Sequence, residues 1–375
     1  MLTAEIIVVG AGPAGLSAAA EASHWNAGVT VFDRDATPGG QLVKQTHRFF
    51  GSRAQRAGTR GIDIIRILLD EIGERENARI VSGADVVSRY DDGVLGIAKA
   101  GHWFKAKPER LILATGAAEK TLAFPGSDLP GVYGAGAVQT LMNVHGVRPG
   151  QHVLMVGAGN IGLIVAYQLI QAGVEVVGVV EASERIGGYW VHASKIRRLK
   201  IPIFTRHTIL QARGKESVEG AIIAEVGGDW APIESTRREL SCDAICLAVG
   251  LSPLVDLMWQ SGCSMSWISE LGGYVPARDP SMGSDVDGVY VAGDAAGIEE
   301  ASAAMMEGRI AGLSAAHSLG KVSDEQFGLR AEEIGRELAN LRSGPTGEVV
   351  RRGLSKLERA PRNSQVLVEG GDSRC

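Results

Sequence analysis

The chain has 375 residues, 45% apolar and 22% charged, with 50 glycines and a net charge of −5. A length of this order suits two or three domains, and scattered Lys and Arg on a slightly acidic chain give no electrostatic footprint for nucleic acid. No apolar run reaches about 18 residues and no basic leader precedes the first strand, so neither a membrane span nor a secretory signal is expected, and a cytoplasmic location is.

The first predicted element is an apolar run, Ile6–Val9, which enters Gly10-Ala11-Gly12-Pro13-Ala14-Gly15 and then an Ala-rich helical pattern. A second β run, Val29–Phe32, stops at Asp33, with Arg34 beside it. Strand, glycine turn, helix, strand and terminal acid, in that order, is how a dinucleotide fold is written. The first glycine permits the tight turn, the second lets the backbone approach a pyrophosphate, and the third lets helix and strand pack closely. Helix-terminal amides hold the phosphates, and the acid accepts hydrogen bonds from ribose. Gly39-Gly40-Gln41-Leu42 follows, and Leu111–Ala114 is a strand running into Thr115-Gly116.

The whole pattern then recurs. Val153–Val156 enters Gly157-Ala158-Gly159-Asn160-Ile161-Gly162, and Val174–Val180 stops at Glu181. One GxGxxG is weak evidence, but the ordered set appearing twice is strong, and two bound dinucleotides are expected. A carboxylate at 181, followed by Ala182 and Ser183, repels a 2′-phosphate and favours NAD over NADP; Arg185 lies close by.

Ala244–Gly250 repeats the strand-into-glycine form, and Gly288–Asp294 is a strand ending in Gly293-Asp294 before an Ala-rich helix over 295–317. A carboxylate there can bind the hydroxyls of a sugar-alcohol chain, which FAD has and NAD lacks, so FAD is assigned to the first site. Glu299 and Glu300 suit the N-terminal dipole of that helix. Ser323-Asp324-Glu325-Gln326 reads as a capping box opening a helix over 323–342, and beyond Gly344-Pro345 the tail turns basic through Arg351, Arg352, Lys356, Arg359 and Arg362, a solvated end or a docking segment. Cys242 and Cys246 fall four apart on a strand-like run, which predicts one buried face; Cys263 and Cys375 stand alone. There is no CxxC, and neither a metal site nor an iron–sulfur site within the chain is expected.

These signals together resemble the two-dinucleotide-binding-domain flavoproteins, the class of thioredoxin and glutathione reductases, over residues 1 to about 320. The resemblance implies an α/β fold of two Rossmann-like domains, an FAD domain at 1–126 and 251–322 with an NAD domain at 131–248 inserted, and a helical C-terminal extension and tail at 323–375. The links near Phe124-Pro125-Gly126 and Gly250-Leu251-Ser252-Pro253 carry the expected Gly and Pro. It also implies that Asp33 holds the adenosine ribose, Asp294 the ribityl–pyrophosphate region, and Gly39 to Leu42 approach the flavin ring. Thioredoxin reductases carry a redox dithiol where this chain has Gly134-Ala135-Gly136-Ala137, and no cysteine pair lies in 39–60, so no disulfide reductase activity is expected.

Within the class, Gly39 to Gly51 and Tyr133 to Thr140 look most like the α-type nucleotide-binding subunits of multi-subunit amine and amino-acid dehydrogenases: dye-linked proline or hydroxyproline dehydrogenase, opine oxidase, hydrogen cyanide synthase and sarcosine oxidase. That resemblance implies an FAD-dependent electron-transfer subunit with NAD(H) at the second site, an amine-oxidising flavoprotein partner, and a small [2Fe–2S] subunit supplied by another polypeptide if a cluster is involved. A stand-alone NADH-dependent flavin reductase and a non-catalytic nucleotide-binding scaffold are the alternatives. No catalytic base is named; Lys44 and His47 are weak candidates near the flavin, and His145 and His192 could touch nicotinamide.

Overall fold

The computed structural model describes residues 1–49, 56–344 and 347–359; Phe50, Gly51, Pro345, Arg362 and Cys375 lie outside them. The chain forms two units. The first comprises Met1–Val43, Arg48–Ala118 and the described residues from Ser252 on, and the second Lys44–His47 with Glu119–Leu251.

In the first unit β1 (Leu2–Val9), α1 (Pro13–His24), β2 (Val29–Asp33), α2 (Gly61–Gly73) and β3 (Ala78–Ser82) wind a parallel sheet. The strands β4 (Ala84–Arg89), β5 (Leu95–Lys99) and β6 (His102–Leu113) make an antiparallel meander, and β6 pairs from Ala106 to Leu113 with β1 in parallel. Ile6 and Val8 enter one core and Ile7 and Val9 the other, so both faces of β1 are covered. This is why the first strand reads as a continuous apolar run and not as an alternation.

After β7 (Ala117–Glu119), the second unit contains β8 (Val132–Gly134), α3 (Ala135–Asn143), β9 (His152–Val156), α4 (Asn160–Gln171), β10 (Glu175–Glu181), α5 (Trp190–Arg198) and β11 (Ile203–Thr205). An antiparallel sheet of β12 (His207–Arg213), β13 (Gly220–Glu225) and β14 (Arg238–Ser241) precedes β15 (Ala244–Leu247). The parallel sheet has the order β11-β10-β9-β15-β8, a second Rossmann-like core. Cys246 lies in β15 against one face of that sheet, whereas Cys242 is buried on the other. The expectation of one shared face fails because Cys242 precedes the strand, in a turn where Asp243 donates its N–H to the His152 carbonyl.

The chain re-enters the first unit through β16 (Leu251–Pro253), then α6 (Asp256–Gln260), the hairpin β17 (Met265–Ile268) and β18 (Gly273–Pro276), and β19 (Val289–Val291), which joins the first sheet parallel to β6. The helix α7 (Ala301–Ser318) is buried on nearly every side, which explains its Ala, Gly and Met content. It crosses α1 at van der Waals distance because a β-carbon at Gly308 or Gly312 would overlap the carbonyls of Ala14 or Ala18. The extension is helical, as expected. In α8 (Asp324–Leu341) the Ser323–Gln326 capping box forms, and in α9 (Glu348–Arg359) Val350, Leu354 and Leu357 pack on Ile268, Leu271 and Val275. Through α9 the basic segment is therefore docked on its own chain, with Lys356 and Arg352 paired to Glu270. Among the described residues no helix is long and apolar enough to cross a membrane.

The α1–α7 crossing sets a test. Gly308→Ala should cost about 1–3 kcal/mol through overpacking, read as a lowered denaturant midpoint at unchanged slope; an unchanged midpoint would show that the two helices can move apart without penalty.

Candidate functional site

The first glycine turn is shaped by crowding. Gly10 has φ +103°, and a side chain there would run into the Ala114 carbonyl. Gly15 lies against the Gly10 carbonyl, and a β-carbon on Gly40 would come 2.8 Å from the Gly12 α-carbon. Gly12 caps α1 in extended conformation with no side-chain cap, and Pro13 takes the first helical position, where its missing N–H costs nothing. The first turn of α1 thus has no side-chain cap at its N-terminus, where the helix dipole favours negative charge.

Around this turn the chain is fixed by its own backbone. Gly10 donates to the Phe32 carbonyl at 2.8 Å and Gly39 to the Ala11 carbonyl at 2.7 Å. Asp33, buried at the end of β2, accepts from the N–H of Ala11 and, at 2.8 Å, from that of Asp35. Burial pushes its carboxyl above the usual range, and those two N–H groups oppose the shift. Arg34 and Gln41 are exposed, and Leu42 is fully buried in the core below the turn.

The second unit repeats this arrangement bond for bond. Gly157 has φ +108°, abuts the Ala248 carbonyl and donates to the Val180 carbonyl at 2.7 Å. Glu181 accepts from Ala158 N–H at 2.9 Å and from Ser183 N–H at 2.8 Å. Gly159 caps α4 without a side chain, and Gly162 crowds the Gly157 carbonyl. Gly188 donates to the Ala158 carbonyl at 2.9 Å, as Gly39 does to Ala11, and a β-carbon on it would stand 2.9 Å from the Gly159 carbonyl carbon. Sequence reading gave Gly187-Gly188 no part in the second site; the signal for this contact was a glycine pair following each fingerprint. Asn160 accepts from the Tyr189 N–H at 2.8 Å, locking this second glycine segment to α4, while Ile161 is exposed.

Elsewhere in the first unit, Thr115 donates its hydroxyl to the Leu254 carbonyl at 2.6 Å, and Gly116 turns with φ +76°. Gly293, with φ +72°, comes so near Ala14 that a β-carbon would lie 2.8 Å from the alanine's. Its N–H donates to the buried Glu307 carboxylate at 2.9 Å. Asp294 follows in a short 3-10 turn, and its carboxyl is pushed up to about 6, first by burial and then by the charges of Glu307 and Glu299. Glu299 does not serve the helix dipole as expected: Glu300 caps α7, and Glu299 is buried against Arg342. Sequence reading missed Glu307, Arg278 and Arg342, although a lone acid within an Ala- and Met-rich helix pattern was the available signal.

Lys44 and His47 sit in the second unit. Lys44 donates to the Gly136 carbonyl at 3.1 Å, Asn143 to the Lys44 carbonyl at 2.7 Å, and Gln168 to the Thr46 hydroxyl at 3.1 Å. The N–H of Gly136, in the segment where thioredoxin reductases carry cysteines, donates to Glu119 at 2.6 Å. His47 is held down to about 4 by burial and then by the charges of His192 and Lys195, so at neutral pH it is uncharged. His192 is buried beside Tyr189 and lowered for the same reason, whereas His145 is exposed in the turn after α3.

Residues 4–308 match the pyridine nucleotide-disulphide oxidoreductase family. The chain belongs to this family. It is 30% identical to an opine oxidase subunit of Agrobacterium tumefaciens (strain Ach5) over 86% of its own length and 67% of that protein's. Against hydrogen cyanide synthase subunit HcnB of Pseudomonas protegens the identity is 27%, over 96% and 81% respectively. Among solved structures, the L-proline dehydrogenase of P. horikoshii superposes with TM-score 0.67 at 22% identity, covering 96% of this chain and 69% of that one, a likeness of fold. The chain thus spans about two thirds of the opine oxidase polypeptide it matches. It is an oxidoreductase of a family whose fold implies FAD and NAD(P), similar to chains named as subunits of larger enzymes.

The low value for His47 has a pH consequence. Between pH 6.5 and 4 the unfolded chain holds a proton that folded His47 refuses, so this contribution to stability is full above pH 6.5 and falls as pH drops through that window. The loss is at most about 3 kcal/mol, with His192 acting in the same direction. Urea unfolding at pH 7.5 and pH 5 should show a larger drop for the natural chain than for His47→Gln; equal drops would place His47 in contact with water.

Proposed function

We propose that the first unit binds FAD and the second NAD(H), and that the chain is the nucleotide-binding electron-transfer subunit of a multi-subunit amino-acid or amine dehydrogenase of the proline, hydroxyproline, opine or sarcosine type. The observation that carries the reading is the bond-for-bond duplication of the two glycine turns, combined with a chain whose four cysteines form no CxxC. Both turns fit a dinucleotide by the same physical criterion: the space a β-carbon would fill is left empty where a pyrophosphate approaches.

In this reading Gly10, Gly12, Pro13, Ala14 and Gly15 line the FAD pyrophosphate, Asp33 the adenosine ribose, and Gly40, Gln41, Leu42, Thr115, Gly116, Gly293 and Asp294 the rest of the cofactor. Gly157, Gly159, Asn160, Ile161 and Gly162 serve NAD(H), with Glu181 on its ribose. FAD when bound would supply two-electron redox chemistry, which needs little acid–base apparatus from the protein. The FAD domain then corresponds to 1–126 and 251–322, and the NAD domain to 131–248.

Thiol relay is set aside on chemical grounds. Cys242 is pushed up to about 12 by burial and the neighbouring Asp243, and the buried Cys246 and Cys263 thiols are also raised. None is a ready nucleophile. Electrons would instead pass between the flavin site and a partner, an amine-oxidising flavoprotein chain or a small [2Fe–2S] subunit. Support for a partner comes from the relatives' names as subunits and from the surface: Trp259 and Trp267 are exposed and each packs edge-on against Tyr274, an aromatic group a monomer has little reason to display.

The test is anaerobic titration of the yellow protein, purified with and without its genomic neighbours, using NADH and then proline, sarcosine and opines. Flavin bleaching by an amine only in the complete assembly is the expected result; rapid bleaching of the isolated chain by NADH would make it a stand-alone reductase, and no bleaching at all a scaffold. Glu181→Ala should weaken NADH binding roughly tenfold, the loss of about one charge-assisted hydrogen bond, and relax discrimination against NADPH; an unchanged preference would show that the acid does not read ribose.

A further inference from the structure

The end of α8 carries an arginine into the most charged buried region of the first unit. Arg342 donates to both Glu299 oxygens at 3.0 and 3.1 Å through Nε, and through Nη2 to Glu299 at 2.5 Å and Glu307 at 2.6 Å. Its side chain is 13% exposed, and those of Glu299 and Glu307 are 6% and 1% exposed, so these are desolvated charges and not surface pairs. Glu307 also takes Arg278 at 3.0 Å, and its second oxygen receives the Gly293 N–H. Glu299 in turn donates its own N–H to Asp294 at 3.3 Å.

Every contact in this set converges on one turn. Glu307 fixes Gly293, Glu299 fixes Asp294, and Arg342 is the group that binds both glutamates. One buried guanidinium nitrogen, Nη1 of Arg278, has no acceptor among the described residues. Two cations face three carboxylates, and without Arg342 a single cation would face three. From this geometry we propose that Arg342 is a positioning residue for FAD: the C-terminal extension inserts it to hold the Gly293–Glu299 turn in its cofactor-receiving form and to keep Asp294 ionised as an acceptor. The proposal rests on the reading that Asp294 binds FAD.

The charged groups around Asp294 are Glu299 and Glu300 on its own segment, Glu307 from α7, Arg278 after β18 and Arg342 from α8. Glu299 and Glu307 already raise the Asp294 carboxyl, and Arg342 is ion-paired to both of them; on the proposal, its removal leaves their charge uncompensated beside Asp294 and raises that carboxyl further. FAD retention should therefore fail, as pH falls, at a higher pH in Arg342→Met than in the natural chain. Breaking a buried pair from one side also leaves uncompensated charge, which loosens the turn itself.

The experiment follows FAD release from the full chain by flavin fluorescence after dilution, from pH 5 to 8, with circular dichroism confirming the fold. Arg342→Met should release FAD roughly tenfold faster at pH 7, with its pH midpoint moved upward, and Arg342→Met/Glu299→Gln, which removes the surplus charge, should move the midpoint back. Natural release and an unmoved midpoint in folded Arg342→Met, or a folded double variant whose midpoint stays where the single variant's lies, overturn the proposal. Asp294→Asn separates the two levels of the argument: if it leaves FAD retention unchanged at pH 8, the flavin-site reading fails, and if it weakens retention while Arg342→Met does not, only the role of Arg342 fails.

Discussion

The structure depends on a steric constraint met twice: a strand must turn into a helix with its backbone pressed against its own carbonyls. Gly15 and Gly162 sit against the carbonyls of Gly10 and Gly157, and those glycines sit against Ala114 and Ala248. No residue with a β-carbon fits, and the reward for that restriction is an uncapped helix N-terminus approachable at backbone distance. The acids that end the second strands complete the constraint. Asp33 and Glu181 are tied by two backbone N–H groups each, so their orientation is fixed by the chain itself.

Much of this was legible because its signals are local. A glycine turn between an apolar run and an Ala-rich helix is set by a few neighbouring residues, and both copies were readable, together with the capping box at Ser323 and the small-residue turns at Thr115 and Gly293. The pairing of Gly187-Gly188 with Gly39-Gly40 was also written locally, but its meaning lies in a hydrogen bond to a residue some thirty positions away. Long-range contacts of that kind leave no periodicity.

The illegible part of the candidate site is its charge structure. Glu299 read as a dipole-stabilising acid since nothing local announces that α8 returns an arginine 43 positions later. The basic tail read as a solvated end or a docking segment because an amphipathic helix looks the same whether it meets water, a partner or its own chain; for α9 the hairpin Met265–Pro276 decides, by offering Ile268, Leu271 and Val275. Cys242 and Cys246 were read as one strand, but β15 begins at Ala244, and the turn before it sends Cys242 to the opposite face of the sheet.

The central claim is that both glycine turns are working dinucleotide sites. It is tested most directly by counting nucleotides: the purified chain, saturated with NADH under argon, is stripped of free ligand, denatured, and its released FAD and NAD(H) are quantified against protein. The account predicts one of each per chain, with Gly10→Val abolishing the FAD and Gly157→Val abolishing the NAD(H) independently. A chain that releases a single nucleotide, or none, would contradict it.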